Sequence, residues 1–182
     1  IENEILLSNL RYIFLKNILL INKNEISEVI EKNTLVQNYT ILKKYPSTLN
    51  VRIEKTKFLA KINKKDKIFY IGSNGKLIKN NTKYELPFVF GNPDINEFLR
   101  LKKIVDNSKL NYKEIKNLYY FQSKRWDIEL HNNLIIKLPK KNLGNYLDIA
   151  FDILKNDNLN KSRQIDLRVK NQIIINDWIF RL

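Results

Sequence analysis

The sequence predicts an α+β fold built in two parts: a helix, helix, strand, strand module, then a larger unit rich in β structure. Three observations carry this. Apolar residues recur with helical spacing over the first thirty residues. From Val36 onward the apolar period falls to two. Short apolar runs separated by Asn, Gly and Pro then dominate, with two further helical stretches set among them.

In order, Leu6, Leu10, Ile13 and Phe14 fall at i, i+4, i+7 and i+8, so residues 3–15 read as a helix with one apolar face. Asn22 can cap a second helix, and Glu25 stands at capping-box spacing from it. Ile26, Val29 and Ile30 supply that helix's stripe. Tyr39 and Ile41 alternate with Thr40 and Leu42, and Leu49, Val51 and Ile53 alternate with Asn50, Arg52 and Glu54. Tyr45-Pro46-Ser47-Thr48 reads as the turn between these two strands. A two-stranded sheet is marginal alone, and a further strand before Ile1 would complete the module. The boundary is expected near Thr56 to Phe58, giving domains 1–56 and 57–182.

The second unit opens with Ile68 to Ile71, the turn Gly72-Ser73-Asn74-Gly75, and Leu77-Ile78. Asn-Gly between apolar runs is a type I′ hairpin signal, because both central residues of that turn need positive φ. Leu86 to Phe90 is a strand ending at Gly91. After Pro93, Asp94-Ile95-Asn96-Glu97 has capping-box form, and Phe98, Leu101 and Val105 mark a helix. Strands return at 115–121 and 126–130, with Trp126, Ile128 and Leu130 on one face. His131-Asn132-Asn133 turns the chain into 134–138. Leu143, Leu147, Ala150 and Leu154 lie on one side of a helix expected over 143–156. Ile165, Leu167 and Val169 form a strand, Lys170-Asn171 a turn, and Ile173, Ile174 and Ile175 a last strand.

Composition removes several function classes. The 182 residues contain no Cys, one His and 4 Gly. Disulfides, thiol nucleophiles, thiolate zinc sites and sites with two imidazoles are therefore excluded, and glycine-rich phosphate loops nearly so. The first residue is Ile1, so a processed protein or a fragment is expected. No stretch of 18 apolar residues occurs to span a bilayer. The net charge of +14 at pH 7 admits a basic nucleic-acid-binding module as an alternative. Against it, the basic residues are mostly Lys spread along the chain, whereas sites that read phosphates and bases favour Arg. A solvated surface, or attraction to anionic lipid headgroups, accounts for the charge equally well.

No local motif supports an enzyme. Gly72-x-x-Gly75 has the form of a KH-domain clamp, but it joins strands where that loop joins helices. Asp127 and Glu129 share one face of a strand, yet Lys137 on the next strand can neutralise them, and the pattern suits a solvated face better than glycoside hydrolysis. His131 lies in a turn with no second ligand nearby. No cofactor and no metal site are expected. The informative feature is the end of the chain. Ile173, Ile174 and Ile175 place apolar side chains on both faces of a short strand, whose backbone is unpaired if the strand is last in an open sheet. Three outcomes are open: Trp178 to Leu182 fold back over it, a partner adds a strand there, or the strand is interior.

The order of elements, together with six motifs, resembles one family, the bacterial cell division proteins FtsQ/DivIB. The motifs are Lys44-Tyr45-Pro46-Ser47-Thr48-Leu49-Asn50-Val51 with Glu54; Gly75-Lys76-Leu77-Ile78; Leu86-Pro87-Phe88-Val89-Phe90-Gly91; Arg125-Trp126-Asp127-Ile128-Glu129-Leu130; Ile136-Lys137-Leu138-Pro139; and Ile165-Asp166-Leu167-Arg168. The Arg-Trp-Asp and Asp-Leu-Arg forms look alphaproteobacterial. The resemblance implies a POTRA domain lacking its first strand over 1–56, then a curved, mainly antiparallel β domain with helices over 57–182. It implies a non-enzymatic divisome scaffold for cytokinesis and septum assembly, held in the inner membrane by one upstream helix with this segment in the periplasm at the septum. The implied partners are FtsB and FtsL, with contact to the septal peptidoglycan synthase machinery and no nucleic acid. The partner-binding residues carried over are Arg168, Val169, Lys170, Gln172, Ile173, Ile174 and Ile175. Two departures stand out: Lys57 where many members have Pro, and Gln172 in place of a small residue. An outer-membrane assembly component would also carry POTRA modules, but as several repeats or with a barrel, and the sequence shows neither.

Overall fold

A computed structural model describes residues 2–80, 82–155, 163–176 and 178–181, with residues 2, 3, 5 and 178–181 described by their backbone alone. The fold is α+β, with helices α1 (Glu2–Phe14), α2 (Lys23–Glu31), α3 (Ile95–Asp106) and α4 (Leu143–Leu154). The strands are β1 (Val36–Lys44), β2 (Thr48–Lys55), β3 (Phe58–Lys64), β4 (Lys67–Gly72), β5 (Leu77–Ile78), β6 (Phe88–Phe90), β7 (Ile115–Tyr120), β8 (Trp126–Leu130), β9 (Ile135–Lys137), β10 (Gln164–Asp166), β11 (Gln172–Ile175) and β12 (Trp178–Arg181). Asn156, at the end of the helix predicted over 143–156, lies outside the described residues. Two compact units emerge: Ile1–Phe58 with Ile71–Lys79, and Leu59–Tyr70 with Asn80–Leu182.

In the first unit, α1 and α2 pack on the antiparallel pair β1-β2. Leu6, Leu10 and Ile13 of α1, Ile26 and Ile30 of α2, Ile21 and Val36 form the core, and the inward residues of both strands close over it. Phe14, assigned to the apolar face by spacing, is exposed at the end of α1. The Asn22 side chain caps α2, accepting from the Asn24 N–H at 3.0 Å. Glu25 does not complete a capping box; its carboxylate pairs with Lys16 instead. The segment 71–79 belongs here by its hydrogen bonds. The Asn74 amide donates to the carbonyls of Thr34 and Val36, both at 2.9 Å, and its oxygen accepts from the Lys76 N–H. Ser73 and Thr56 bond each other and Gln37.

The type I′ turn lies one hairpin earlier than the sequence suggested. Lys65 (φ 51°) and Asp66 (φ 57°) both take positive φ between β3 and β4. At Gly72–Gly75 only Gly75 does (φ 75°), with a Gly75 N–H to Gly72 carbonyl bond of 3.0 Å. Asn74 is instead held by what its side chain bonds.

The strand order of the larger sheet is β12-β11-β10-β9-β8-β7-β6-β3-β4-β5. Antiparallel pairs join β7 to β8, β8 to β9, β10 to β11 and β11 to β12. Parallel pairs join β3 to β6, β6 to β7 and β9 to β10. The last of these is reached through α4, as a parallel connection requires a crossover. Asp94 caps α3 through the Asn96 N–H at 2.7 Å, and Phe98, Leu101 and Val105 are buried. Gly91 (φ 88°) cannot be replaced without a clash, since a Cβ there would lie 2.2 Å from the Tyr120 carbonyl oxygen.

Candidate functional site

The carboxy-terminal strands place two kinds of side chain in register on opposite faces of the sheet. Ile128, Ile136, Ile165 and Ile175 sit opposite one another on β8, β9, β10 and β11, and all four are buried. One residue along, Asp127, Lys137, Asp166 and Ile174 form the neighbouring row. Because strand side chains alternate faces, this second row points away from the isoleucine row. It is a row of charges as far as β10, followed by the half-buried Ile174 of β11, which pairs on with Ile179.

Both aspartates are buried and each has an arginine. Asp166 accepts from Arg168 Nε at 2.8 and 2.9 Å, from the Arg168 N–H at 3.0 Å, and from Nη2. Burial pushes the Asp166 carboxyl up, but these bonds and the charges of Arg168 and Lys137 outweigh it, and its pKa falls below the ordinary aspartate value. The Arg168 guanidinium is held more basic by the same bonds. Asp127 goes the other way. Burial raises its pKa, and the single 3.3 Å bond from Arg125 Nε, with the charges of Arg168 and Lys137, does not recover the loss. Glu129, two residues along the same face of β8, accepts from Asn117 Nδ2 at 2.9 Å and Tyr119 Oη at 2.6 Å, which with Lys116 keeps its pKa low. Both carboxylates are thus bonded within the sheet, and the acid-base pairing considered for them has no free carboxylate to use.

The sequence-predicted site residues come together, but not as an open edge. Gln172 to Ile175 is not the last strand. β10 pairs it on one side (Ile165 with Ile175, Asp166 with Ile174). On the other, β12 pairs all four residues, Gln172 with Arg181, Ile173 with Phe180, Ile174 with Ile179 and Ile175 with Trp178. Of the three outcomes open from sequence, the chain's own carboxy-terminal strand covers β11. Ile173 and Ile175 are buried, and Ile174 and Gln172 half-buried on the other face. Arg168 is engaged by Asp166 rather than standing free. Val169 (44% exposed) and Lys170 lie in the exposed β10–β11 turn, closed by the Gln172 N–H to Val169 carbonyl bond and by Asn171 at φ 59°.

Sequence reasoning held the fold-back of Trp178 to Leu182 as one of three outcomes but missed Asn176, which introduces that strand. The Asn176 side-chain oxygen accepts from the N–H groups of Arg163 and Gln164 at 2.8 and 3.1 Å, and its own N–H returns to the Gln164 carbonyl. This fixes the β11–β12 turn to the start of β10. The signal was present as Asn176-Asp177 between two apolar runs, a turn pair of the hairpin type. Among the described residues, β12 therefore ends the sheet, and its outer backbone has no neighbouring strand. No helix of the described residues is long and apolar enough to cross a membrane.

Comparison with known proteins matches this layout. Residues 2–55 match the family described as POTRA domain, FtsQ-type, and residues 60–168 match Cell division protein FtsQ/DivIB, C-terminal. Cell division protein FtsQ of Bradyrhizobium diazoefficiens is 22% identical over 172 residues, covering 87% of this chain and 48% of that protein. The chain thus spans about half the length of that curated relative. The extracytoplasmic domain of DivIB from Geobacillus stearothermophilus is similar over 52% of this chain and 87% of that one, at 13% identity and a TM-score of 0.40. With both of its parts matched in order, the chain belongs to the FtsQ/DivIB family of bacterial cell division proteins.

Proposed function

We propose that the chain is a non-enzymatic scaffold of the division machinery that receives a strand from an FtsB-type partner at the carboxy-terminal edge of its sheet. FtsL and the septal peptidoglycan synthase machinery complete the assembly. The setting is the periplasmic side of the inner membrane at the septum, with domains 1–56 and 57–182 as its POTRA and β parts. The observation that carries the reading is the position of β12 (Trp178–Arg181) as the end strand of the sheet order. An added strand would hydrogen-bond to β12 rather than to Gln172 to Ile175. The β11 residues then act as the layer beneath the docked pair. Val169 and Lys170 border it, and Arg168 offers its remaining exposed N–H groups to a partner carboxylate.

Two variants test this. In a strand, backbone donors of successive residues point to opposite sides, so of Ile179→Pro and Phe180→Pro one removes an outward donor and the other a donor bonded to β11. The outward variant is expected to keep its thermal unfolding midpoint and to bind the soluble segment of an FtsB-type partner about tenfold more weakly, a loss of about 1.4 kcal/mol. Wild-type affinity in both variants, each still folded, would falsify strand addition at β12. Affinity should change little between about 50 and 200 mM salt, whereas nucleic-acid binding would fall steeply over that range.

A further inference from the structure

We propose that the α1–α2 end of the first unit is a docking surface for an anionic lipid bilayer. In the stretch 15–21 the isoleucines point in and the leucines out: Ile18 and Ile21 are buried, whereas Leu15, Leu19 and Leu20 are 87%, 69% and 79% exposed. Tyr12, one turn before, is 70% exposed. A single exposed leucine is ordinary; three within six residues, beside a tyrosine, form an apolar patch.

The patch is presented on a fastened turn. The Leu20 N–H bonds the Asn17 carbonyl at 2.9 Å, and the Leu19 N–H bonds the Asn17 side-chain oxygen at 3.0 Å. Lys43 Nζ reaches from β1 to the carbonyls of Ile18 and Ile21. The β1–β2 turn meets the same end, where Pro46, Ser47 and Leu49 face Phe14, Ile18 and Ile21 across an open groove of about 430 Å³. Tyr45, in that turn, is also exposed.

Charge selects the occupant. Residues 11–24 and 41–51, which build this end, contain Arg11, Lys16, Lys23, Lys43 and Lys44 and no Asp or Glu. Glu25 stands at its margin and is paired with Lys16. Exposed leucines and tyrosines with an all-cationic fringe suit phosphate headgroups above an acyl layer: the leucines insert, the tyrosines take the interface, and Arg11, Lys23 and Lys44 face the phosphates. A protein partner with an apolar groove would need no such one-signed fringe. This surface is independent of strand docking at β12, and either can fail without the other.

The test uses the whole chain with vesicles of phosphatidylglycerol and phosphatidylcholine in equal parts, at physiological salt. The wild type is expected to co-sediment, and the triple variant Leu15→Ser, Leu19→Ser, Leu20→Ser to bind about tenfold more weakly or worse with an unchanged unfolding midpoint. The chain has no Cys, so a polarity-sensitive fluorophore on Leu19→Cys reports insertion uniquely. Its emission is expected to shift to the blue on adding vesicles, while the same label on Lys32→Cys, at the far end of α2, stays unshifted. Equal binding by the triple variant would reduce the effect to adsorption by net charge and overturn the proposal. So would failure of the wild type to bind, or a wild-type dimer that the triple variant dissolves without any vesicle binding.

Discussion

Two aspartates in one row of the sheet, separated by Lys137, have opposite electrostatic fates, and the cause is how each arginine reaches its partner. Arg168 gives Asp166 side-chain and backbone donors together, whereas Arg125 gives Asp127 one longer bond. Asp166, with its pKa lowered, stabilises the fold above the unfolded carboxylate value of about 3.9, and that contribution is lost as pH falls through the lower folded value. Asp127, with its pKa raised, stabilises below about 3.9 and loses the contribution as pH rises through the folded value. At neutral pH, Asp166→Asn is therefore expected to lower the thermal midpoint and Asp127→Asn to leave it level or raise it. Both differences should shrink below about pH 4; thermal melts across pH check them. Arg168→Ala leaves the Asp166 carboxylate buried with its backbone donor alone. The expected cost is about 1.5 kcal/mol by chemical denaturation, short of a fully buried pair because the Arg168 side chain is 38% exposed. A cost near zero would mean that Arg168 is kept for a partner rather than for the fold.

The helices and most strands were legible because their periods are clean: Phe98, Leu101 and Val105 repeat at helical spacing, and Leu49, Val51 and Ile53 alternate, so burial follows directly. The I′ turn was not legible, because Lys65-Asp66 lacks the Asn-Gly signature and is forced positive in φ by the pairing of the strands on either side. The carboxy-terminal edge was legible only in part. Three consecutive isoleucines say that a strand is apolar on both faces, but not which neighbour covers it, since pairing partners are set by long-range register and not by local pattern. The difference has a measurable consequence. Ile174 is flanked by partners on both sides, Asp166 and Ile179, so Ile174→Pro must break a ladder bond inside the chain. It is expected to destabilise the second unit by about 3 kcal/mol or more, well beyond the effect of the outward β12 proline. If Ile174→Pro leaves unfolding unchanged, β11 is not held between two strands of its own chain in solution.

Net charge, the most conspicuous number in the composition, says little about the carboxy-terminal strands: Arg125 and Arg168 are each paired with an aspartate. The division into two units says more, because it is not a simple cut. Segment 71–79 lies beyond the first helix-helix-strand-strand run in sequence yet bonds within that unit, through Asn74 to the Thr34 and Val36 carbonyls. A two-stranded sheet is weak alone, and these bonds tie the start of β1 to segment 71–79. Asn74→Ala removes two donors and the acceptor for the Lys76 N–H at once, at an expected cost of about 1–3 kcal/mol to the first unit. The two units can be followed separately. Trp126 and Trp178 both lie in the second, so tryptophan emission reports that unit alone, while far-ultraviolet dichroism includes α1 and α2 of the first. In urea titrations, Asn74→Ala should bring forward an early part of the dichroism transition and leave the tryptophan midpoint in place. If both signals shift together by the same amount, the units unfold as one cooperative body, and the Asn74 bonds serve the stability of the entire chain.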